Sequence, residues 1–377
     1  MPYPARVSRE PDQHYLALDA FRFVAALGIV LHHCAIYSDV MGWNTHLAAF
    51  DNLRLCVDFF FALSGFVLMH VHGARMASGG DYLRFLQKRL ARIYPLHALM
   101  VIVFVALALA VAGKPMALRI APVLDPGAAL PNLTLLHSFG VIPTLSLDFP
   151  SWSISAEWFL YLLFPALAAL VLRIGPRAAL FAAIAFAIAL SLARDALGLR
   201  DWTRATVDFG MLRALPSFFA GIAICVIVER APPAQLSWTW VYGAGLALVG
   251  LLLSPAPAAL MIGLFPVFIG LVAVAERGGA PTFLTRLPFP ALGDASYSVY
   301  LLHALVMLLA AEAITATGIS GLAAFAALTA ATIALTIPLA LVVFRFYEAP
   351  MRRWLSPARA ETYRLRPAAS RRSIASE

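Results

Sequence analysis

Charge is scarce in this chain: only 13% of its 377 residues are Asp, Glu, Lys or Arg, while 62% are hydrophobic. A soluble domain carries about 25% charged residues, so the composition excludes an ordinary soluble protein. The apolar runs are about 20 residues long and lack the alternating pattern of barrel strands, which leaves a helical bundle as the spanning architecture. We therefore predict an all-α, polytopic integral membrane protein.

Motifs of soluble enzymes are also missing. The sequence contains no Walker loop, no glycine-rich dinucleotide turn, no Gly-x-Ser-x-Gly elbow and no His-Glu-x-x-His pair, so hydrolysis by a conventional triad is not supported. Cys34, Cys56 and Cys225 lie in or beside apolar runs without paired or metal-ligand spacing. We expect these cysteines to be small buried hydrophobes, and we expect no metal.

Basic residues lie between and after the apolar runs, so the net charge of +8 reflects topology and does not indicate nucleic acid. With the N-terminus in the cytoplasm, twenty of the 28 Lys and Arg fall on the inner side, which places both termini there. Windows of about 20 residues predict ten spans, at 17–37, 53–72, 93–112, 153–173, 178–197, 207–228, 237–254, 258–275, 292–313 and 320–344.

Three regions follow from this topology. Residues 1–16 form a cytoplasmic segment, 17–348 the membrane domain, and 349–377 a basic cytoplasmic tail. The tail is rich in Arg and Ser, which predicts disorder or binding to the anionic inner leaflet. The largest external loop, at 113–151, is a candidate lid or acceptor-binding element.

Two ionisable residues lie within the first apolar run. His33 follows Arg22 by eleven residues, which returns it to almost the same helix face about 16 Å further along the axis. Ionisable groups within spans usually face a bundle interior or a wet cavity. The pattern predicts a site that handles a polar molecule across much of the membrane. The alternative is an arginine paired with Asp19 and a hydrogen-bonded core histidine.

Two further arginines open the third span from the cytoplasmic side. Arg89 and Arg92 are three residues apart and share a helix face, where two guanidinium groups can bind phosphates bidentately. A plain positive-inside anchor is the alternative.

The fourth span begins from the outside and places Ser153 and Glu157 on one face. A carboxylate just below that surface is costly unless it is paired or functional. Because His33 lies at a comparable predicted depth, a pair of His33 and Glu157 is a hypothesis, with the imidazole as general base.

The ninth span carries Tyr300 and His303 three residues apart, and His303 is either a ligand-facing group or a core hydrogen-bonding group. Ser64 and Gly65 favour close helix packing. We expect Glu348 to pair with arginines at the inner surface.

Six segments occur together in one order. They are Leu18-Asp-Ala-Phe-Arg22 with His33 after ten further residues, Phe60-Phe-Ala-Leu-Ser-Gly-Phe66, Arg89-x-x-Arg92-Ile-Tyr-Pro95, Trp152-Ser-Ile-Ser-Ala-Glu157, Ser296-Tyr-Ser-Val-Tyr-Leu-Leu-His303 and Tyr347-Glu-x-Pro350. Their order and spacing resemble the bacterial membrane-bound acyltransferase family 3 over residues 15 to 355. One departure is Ala20, where members of that family often have Gly.

The resemblance implies transfer of an acyl group, most often acetyl, from cytoplasmic acyl-CoA to hydroxyls of surface or exported carbohydrates such as lipopolysaccharide and exopolysaccharide. Some members of the family acylate macrolides. The implied location is the bacterial cytoplasmic membrane. The motif match makes Arg22 and His33 the essential pair, Arg89 and Arg92 the second basic motif, and Glu157 a third element.

Our working hypothesis is that Arg89, Arg92 and Arg22 bind the CoA phosphates. His33, oriented by Glu157, then acts as general base or as acyl carrier. The supporting or substrate-binding candidates are Asp19, Trp152, Ser153, Tyr300 and His303. A transporter or flippase for a glycolipid or polar metabolite is the rival, because buried ionisable groups also line translocation paths.

Overall fold

The computed structural model describes residues 15–43, 45, 47–76, 82–112, 124–232, 234–279, 281–286 and 288–356. Regular structure in these ranges is helical, without strands. The α-helices are α1 Leu16–Val40, α2 Cys56–Met76, α3 Tyr82–Val111, α4 Ala129–Leu133, α5 Trp152–Ile174, α6 Pro176–Ala196, α7 Gly210–Arg230, α8 Trp238–Leu252, α9 Ala258–Arg277, α10 Phe289–Asp294, α11 Ser296–Ala316, α12 Gly321–Val343 and α13 Ala349–Leu355. Single 3-10 turns or short 3-10 helices occupy Ala48–Leu55, Pro126–Ala128, Phe149–Ser151, Trp202–Arg204 and Phe283–Thr285, and Phe344–Glu348 is a π-helical segment.

The polytopic helical bundle predicted from composition is confirmed. In the described part of the chain, nine helical segments are long and apolar enough to cross a membrane. The tenth predicted span, at 237–254, contains the 15-residue apolar helix α8. At 1.5 Å per residue α8 rises only about 22 Å, less than the ~30 Å of a hydrocarbon core.

Helices α2 and α7 form the centre of the bundle, and their backbones touch at two glycines. A Cβ atom at Gly65 would overlap the carbonyl oxygen of Phe218, and one at Gly221 would overlap that of Ala62. Small residues permit this approach between membrane helices. The packing role predicted for Gly65 therefore has a direct steric basis.

A buried ion pair joins the same two helices. Arg213 Nη2 of α7 lies 2.6 Å from Asp58 Oδ2 of α2, and the two residues are 3% and 0% exposed. The Arg213 guanidinium also stacks 5.0 Å from the ring centroid of Trp152, at the start of α5. One buried cation thus fixes three helices relative to one another.

The segment 124–151 folds back against the bundle. Asn132, Ser138 and Ser151 are fully buried in it. His97 Nε2 of α3 lies 2.9 Å from the Asn132 carbonyl oxygen, and the rings of His97 and His137 stack at 5.6 Å. Because its preceding residues enter the bundle, α5 starts among the other helices. Residues 113–123 of the predicted lid lie outside the described part.

One more helix follows the predicted end of the membrane domain. Residues 349–355, assigned from sequence to the tail, form α13, which packs against α3. Pro350 occupies the first turn, where its missing N–H costs nothing. The apolar run ends near Val343, so hydropathy did not predict a further helix after it. Residues 1–14 of the predicted N-terminal segment and 357–377 of the predicted tail lie outside the described residues.

Candidate functional site

Three arginines from two helices converge inside the bundle; we call Arg22, Arg89 and Arg92 the arginine cluster. Arg22 Nη1 donates to Asp19 Oδ1 over 3.3 Å, as the alternative interpretation of this residue anticipated. Arg22 also interacts electrostatically with Arg92 and Glu157. Arg89 Nη2 lies 3.5 Å from His72 Nε2, on the last turns of α2. Arg89 interacts electrostatically with Arg92 and Glu157, so Arg92 and Glu157 link it to Arg22.

Two carboxylates, the partly buried Glu157 and the buried Glu348, face the arginine cluster. Glu157 Oε1 accepts hydrogen bonds from Ser64 Oγ over 3.0 Å and from the Tyr161 hydroxyl over 2.5 Å. Glu348 Oε2 accepts one from Ser298 Oγ over 2.6 Å. Arg92 interacts electrostatically with both carboxylates. Opposite charges within the bundle lower the cost of burying the cations when no anionic ligand is present.

The sequence suggested a pair of Glu157 with His33. The hydrogen-bond partners of Glu157 are Ser64 and Tyr161, and it interacts electrostatically with the arginine cluster.

His33 pairs instead with a histidine of α11, and we call His33 and His303 the histidine pair. His33 Nδ1 lies 2.8 Å from His303 Nε2, and the two rings are parallel with centroids 5.0 Å apart. The Phe149 ring meets His33 edge-on at 4.9 Å. His303 is fully buried, and its Nδ1 has no hydrogen-bond partner among the described residues. One ring nitrogen in the pair must donate and the other accept, so each histidine sets the tautomer of the other.

Three other predicted residues hold α5 in place. The Tyr300 hydroxyl donates to the Pro150 carbonyl over 2.7 Å and lies 2.8 Å from Ser153 Oγ. Trp152 covers the Arg213 guanidinium. Their observed contacts are with protein groups at the entrance of α5, next to the histidine pair.

Comparison with known proteins decides the family. The profile of the acyltransferase domain family, acyltransferase 3, matches residues 15–341, which is most of the chain. The chain belongs to the acyltransferase 3 family.

Two curated proteins are similar to parts of this acyltransferase. "Protein 2 in picA locus" of Rhizobium radiobacter is 34% identical over 160 residues, covering 41% of this chain and 80% of that protein. "Acyltransferase MdmB" of Streptomyces mycarofaciens is 33% identical over 184 residues, covering 46% of this chain and 43% of that protein. No solved structure matches the chain significantly.

The acyltransferase keeps a polar interior between its two centres. Arg22 retains 23% of its side-chain surface, and Arg89, Arg92, Glu157 and His33 are likewise only partly buried. Because these side chains come from three helices, we infer that their accessible surface faces the space between the helices. The arginine cluster and the histidine pair lie about 16 Å apart along α1.

The sequence did not predict the hydrogen-bond partners of several histidines. His32, His70, His72 and His97 had no assigned partner, yet His32 Nδ1 lies 3.0 Å from the Phe50 carbonyl oxygen and His70 Nδ1 lies 2.8 Å from Glu229 Oε1. Those partners are 18 and 159 residues away, so spacing along one helix carries no signal for them.

In the described part of the acyltransferase, one cluster consists of side chains of the types that bind metal ions. His70, Cys225 and Glu229 bring one ligand atom each within 4.8 Å of the others, near the ends of α2 and α7. The His70 and Glu229 side chains are hydrogen-bonded, as in an ordinary ion pair. The group lies away from the histidine pair, and the chemistry below makes no use of it.

Proposed function

We propose that this acyltransferase moves an acetyl or other short acyl group from cytoplasmic acyl-CoA to a hydroxyl of an exported or cell-surface carbohydrate or glycolipid. Its location would be the bacterial cytoplasmic membrane. The observation that carries the proposal is that the arginine cluster and the histidine pair form around Arg22 and His33, which lie about 16 Å apart along α1. Membership of an acyltransferase family favours an enzyme over the transporter alternative.

The arginine cluster suits the phosphates of the donor. Guanidinium groups bind phosphate oxygens through paired, charge-assisted hydrogen bonds. Arg89 lies at the end of the cluster nearest His72, and α3 and α2 meet there on the predicted cytoplasmic side. A donor bound by its phosphates at this end would extend its long, thin pantetheine arm along α1 toward His33.

The histidine pair suits the transfer step. If the proton of neutral His33 is on Nδ1, this N–H donates the hydrogen bond to His303 Nε2. The lone pair of His33 is then on Nε2. That nitrogen removes the proton from the acceptor hydroxyl, and the resulting alkoxide attacks the thioester carbonyl. The C–S bond then breaks, CoA leaves as the thiolate and takes a proton from the imidazolium. An acyl-histidine intermediate is the second route through the same residue.

The test compares cell-envelope carbohydrate from four strains by mass spectrometry: native, gene deletion, deletion restored with the native gene, and deletion restored with His33→Ala. We expect the mass of one acyl group to be lost in the deletion and His33→Ala strains and regained with the native gene. Unchanged glycans in both mutant strains would contradict a carbohydrate acceptor. Full acylation with His33→Ala would contradict the role of His33.

A further inference from the structure

A cavity lies at the opposite end of α1 from the arginine cluster, on the predicted outer side. Its volume is about 580 Å³, within the ~300–1,000 Å³ of small-molecule sites. It is formed where the last turns of α1 meet the 3-10 helix Ala48–Leu55 and the residues that follow α8. The lining comprises His32, Ala35, Ile36, Asp39, Leu47, Ala48, Phe50, Asp51, Asn52 and Ser254–Ala256.

His32 connects this cavity with the histidine pair. It lines the cavity, and its ring centroid is 5.4 Å from that of His33. A carbonyl oxygen can only accept, so the bond with Phe50 places the proton of His32 on Nδ1. Its Nε2 then carries a lone pair, which the bond to Phe50 does not use.

The charges of the lining restrict what the cavity can hold. Asp39 and Asp51 line it, and no Lys or Arg is among the described lining residues. Asp51 forms ion pairs with Arg54 and Arg204, and Asp39 Oδ1 accepts from Thr45. Acceptor groups and an apolar floor of Ile36 and Phe50 suit a molecule with several hydroxyls, whereas an anionic molecule would meet the carboxylates of Asp39 and Asp51.

We propose that this outer cavity, defined by the lining residues above, is the acceptor site. It would hold a neutral or amino-bearing sugar unit, with His32 Nε2 accepting a hydrogen bond from one sugar hydroxyl so that a neighbouring hydroxyl lies at His33. His32 is then a positioning residue. This inference rests on the proposed function, because it assigns the second substrate of the same reaction.

The experiment uses two matched tryptophan variants of the full-length protein in detergent. Ala48 and Ala49 are both exposed on the same 3-10 helix, but only Ala48 is part of the cavity lining. The probes are labelled acetyl-CoA and the envelope carbohydrate of the deletion strain, separated by anion exchange into neutral or basic and acidic fractions. Transfer of label, KM for each substrate and acetyl-CoA binding are measured.

We expect Ala48→Trp to reduce kcat/KM for the acceptor about tenfold or more, with acetyl-CoA affinity and Ala49→Trp unchanged. His32→Ala should raise the acceptor KM about tenfold through one lost hydrogen bond, and His32→Gln should restore part of it. Label should enter the neutral or basic fraction. Equal transfer by Ala48→Trp and Ala49→Trp, or label confined to the acidic fraction, would overturn the acceptor site. Failure of the native protein to transfer any label would overturn the proposed function, and this inference with it.

Discussion

The kcat of a variant without the His303 imidazole measures how much the buried hydrogen bond of the histidine pair contributes to transfer. The hydrogen bond between His33 Nδ1 and His303 Nε2 is 2.8 Å long, and His303 has no exposed surface. When His33 takes the acceptor proton it becomes cationic, and a hydrogen bond from a charged donor contributes about 1.5–3 kcal/mol. At 1.36 kcal/mol for each factor of ten, His303→Ala should lower kcat about 10- to 150-fold. His33→Ala should lower it about 10²- to 10⁴-fold, the usual contribution of a general base.

The assay follows release of CoA from acetyl-CoA with acceptor present, in purified protein. Residues that act as a unit are not additive, so the double variant should be no slower than His33→Ala alone. His303→Gln should recover part of the rate, because the amide oxygen of Gln can accept from His33 Nδ1. His97→Gln is the matched control, since His97 is an equally buried histidine that bonds a carbonyl outside the pair.

Two results would refute the coupling of the pair. One is wild-type kcat in His303→Ala with normal acetyl-CoA binding. The other is a double variant whose loss is the product of the two single losses. The control separates packing from the hydrogen bond. If His303→Ala and His97→Gln lower the thermal midpoint equally, the lower rate reflects disturbed packing and not the lost hydrogen bond.

Three other perturbations follow from the described contacts. Arg89→Ala should raise Kd for acetyl-CoA about tenfold or more through a lost phosphate contact, while Arg84→Ala, an exposed arginine of the same helix, leaves Kd unchanged in calorimetry. Asp58→Ala should lower the free energy of unfolding by about 3–5 kcal/mol, because it leaves Arg213 buried and unpaired. Asp58→Leu with Arg213→Met should be more stable than Asp58→Ala in the same denaturation assay. Both carboxylate oxygens of Asp148 are buried without a partner among the described residues, and burial raises its pKa well above the usual value. The folded state therefore binds the proton more tightly than the unfolded state, and stability is lost as pH rises above about 4. Asp148→Asn should have a higher thermal midpoint than wild type at pH 7.5, with the difference shrinking as pH falls toward 4; an equal difference at both pH values would contradict this.

The sequence predicted the helical bundle and nine of the ten spans, as far as the described residues show, because both follow from runs of apolar residues, which are local. The exception is the span at 237–254, which contains the short helix α8. The sequence also predicted that Arg22, Arg89 and Arg92 share an interior, since two of them are on one helix turn and all lie in apolar surroundings. It did not predict Ser64 and Tyr161 as the hydrogen-bond partners of Glu157, because Ser64 is 93 residues away on another helix.

The spacing of residues along the sequence could not predict the hydrogen-bond partner of His33. His303 is 270 residues away, and His32, which lines the outer cavity, differs from His33 by one position on the same helix. Only the packing of α1 against α11 on one face, and against the 3-10 helix Ala48–Leu55 on another, gives the two adjacent histidines different surroundings.

The shortness of α8 has a consequence for the lipids beside it. Residues 254–256, which follow α8, form part of the rim of the outer cavity. A helix of about 22 Å in a hydrocarbon layer of ~30 Å draws the lipid surface inward, at a modest cost for each ångström of mismatch. The outer leaflet would then dip toward this rim. A sugar that stays attached to its lipid carrier could enter the cavity from the side, without being lifted out of the leaflet.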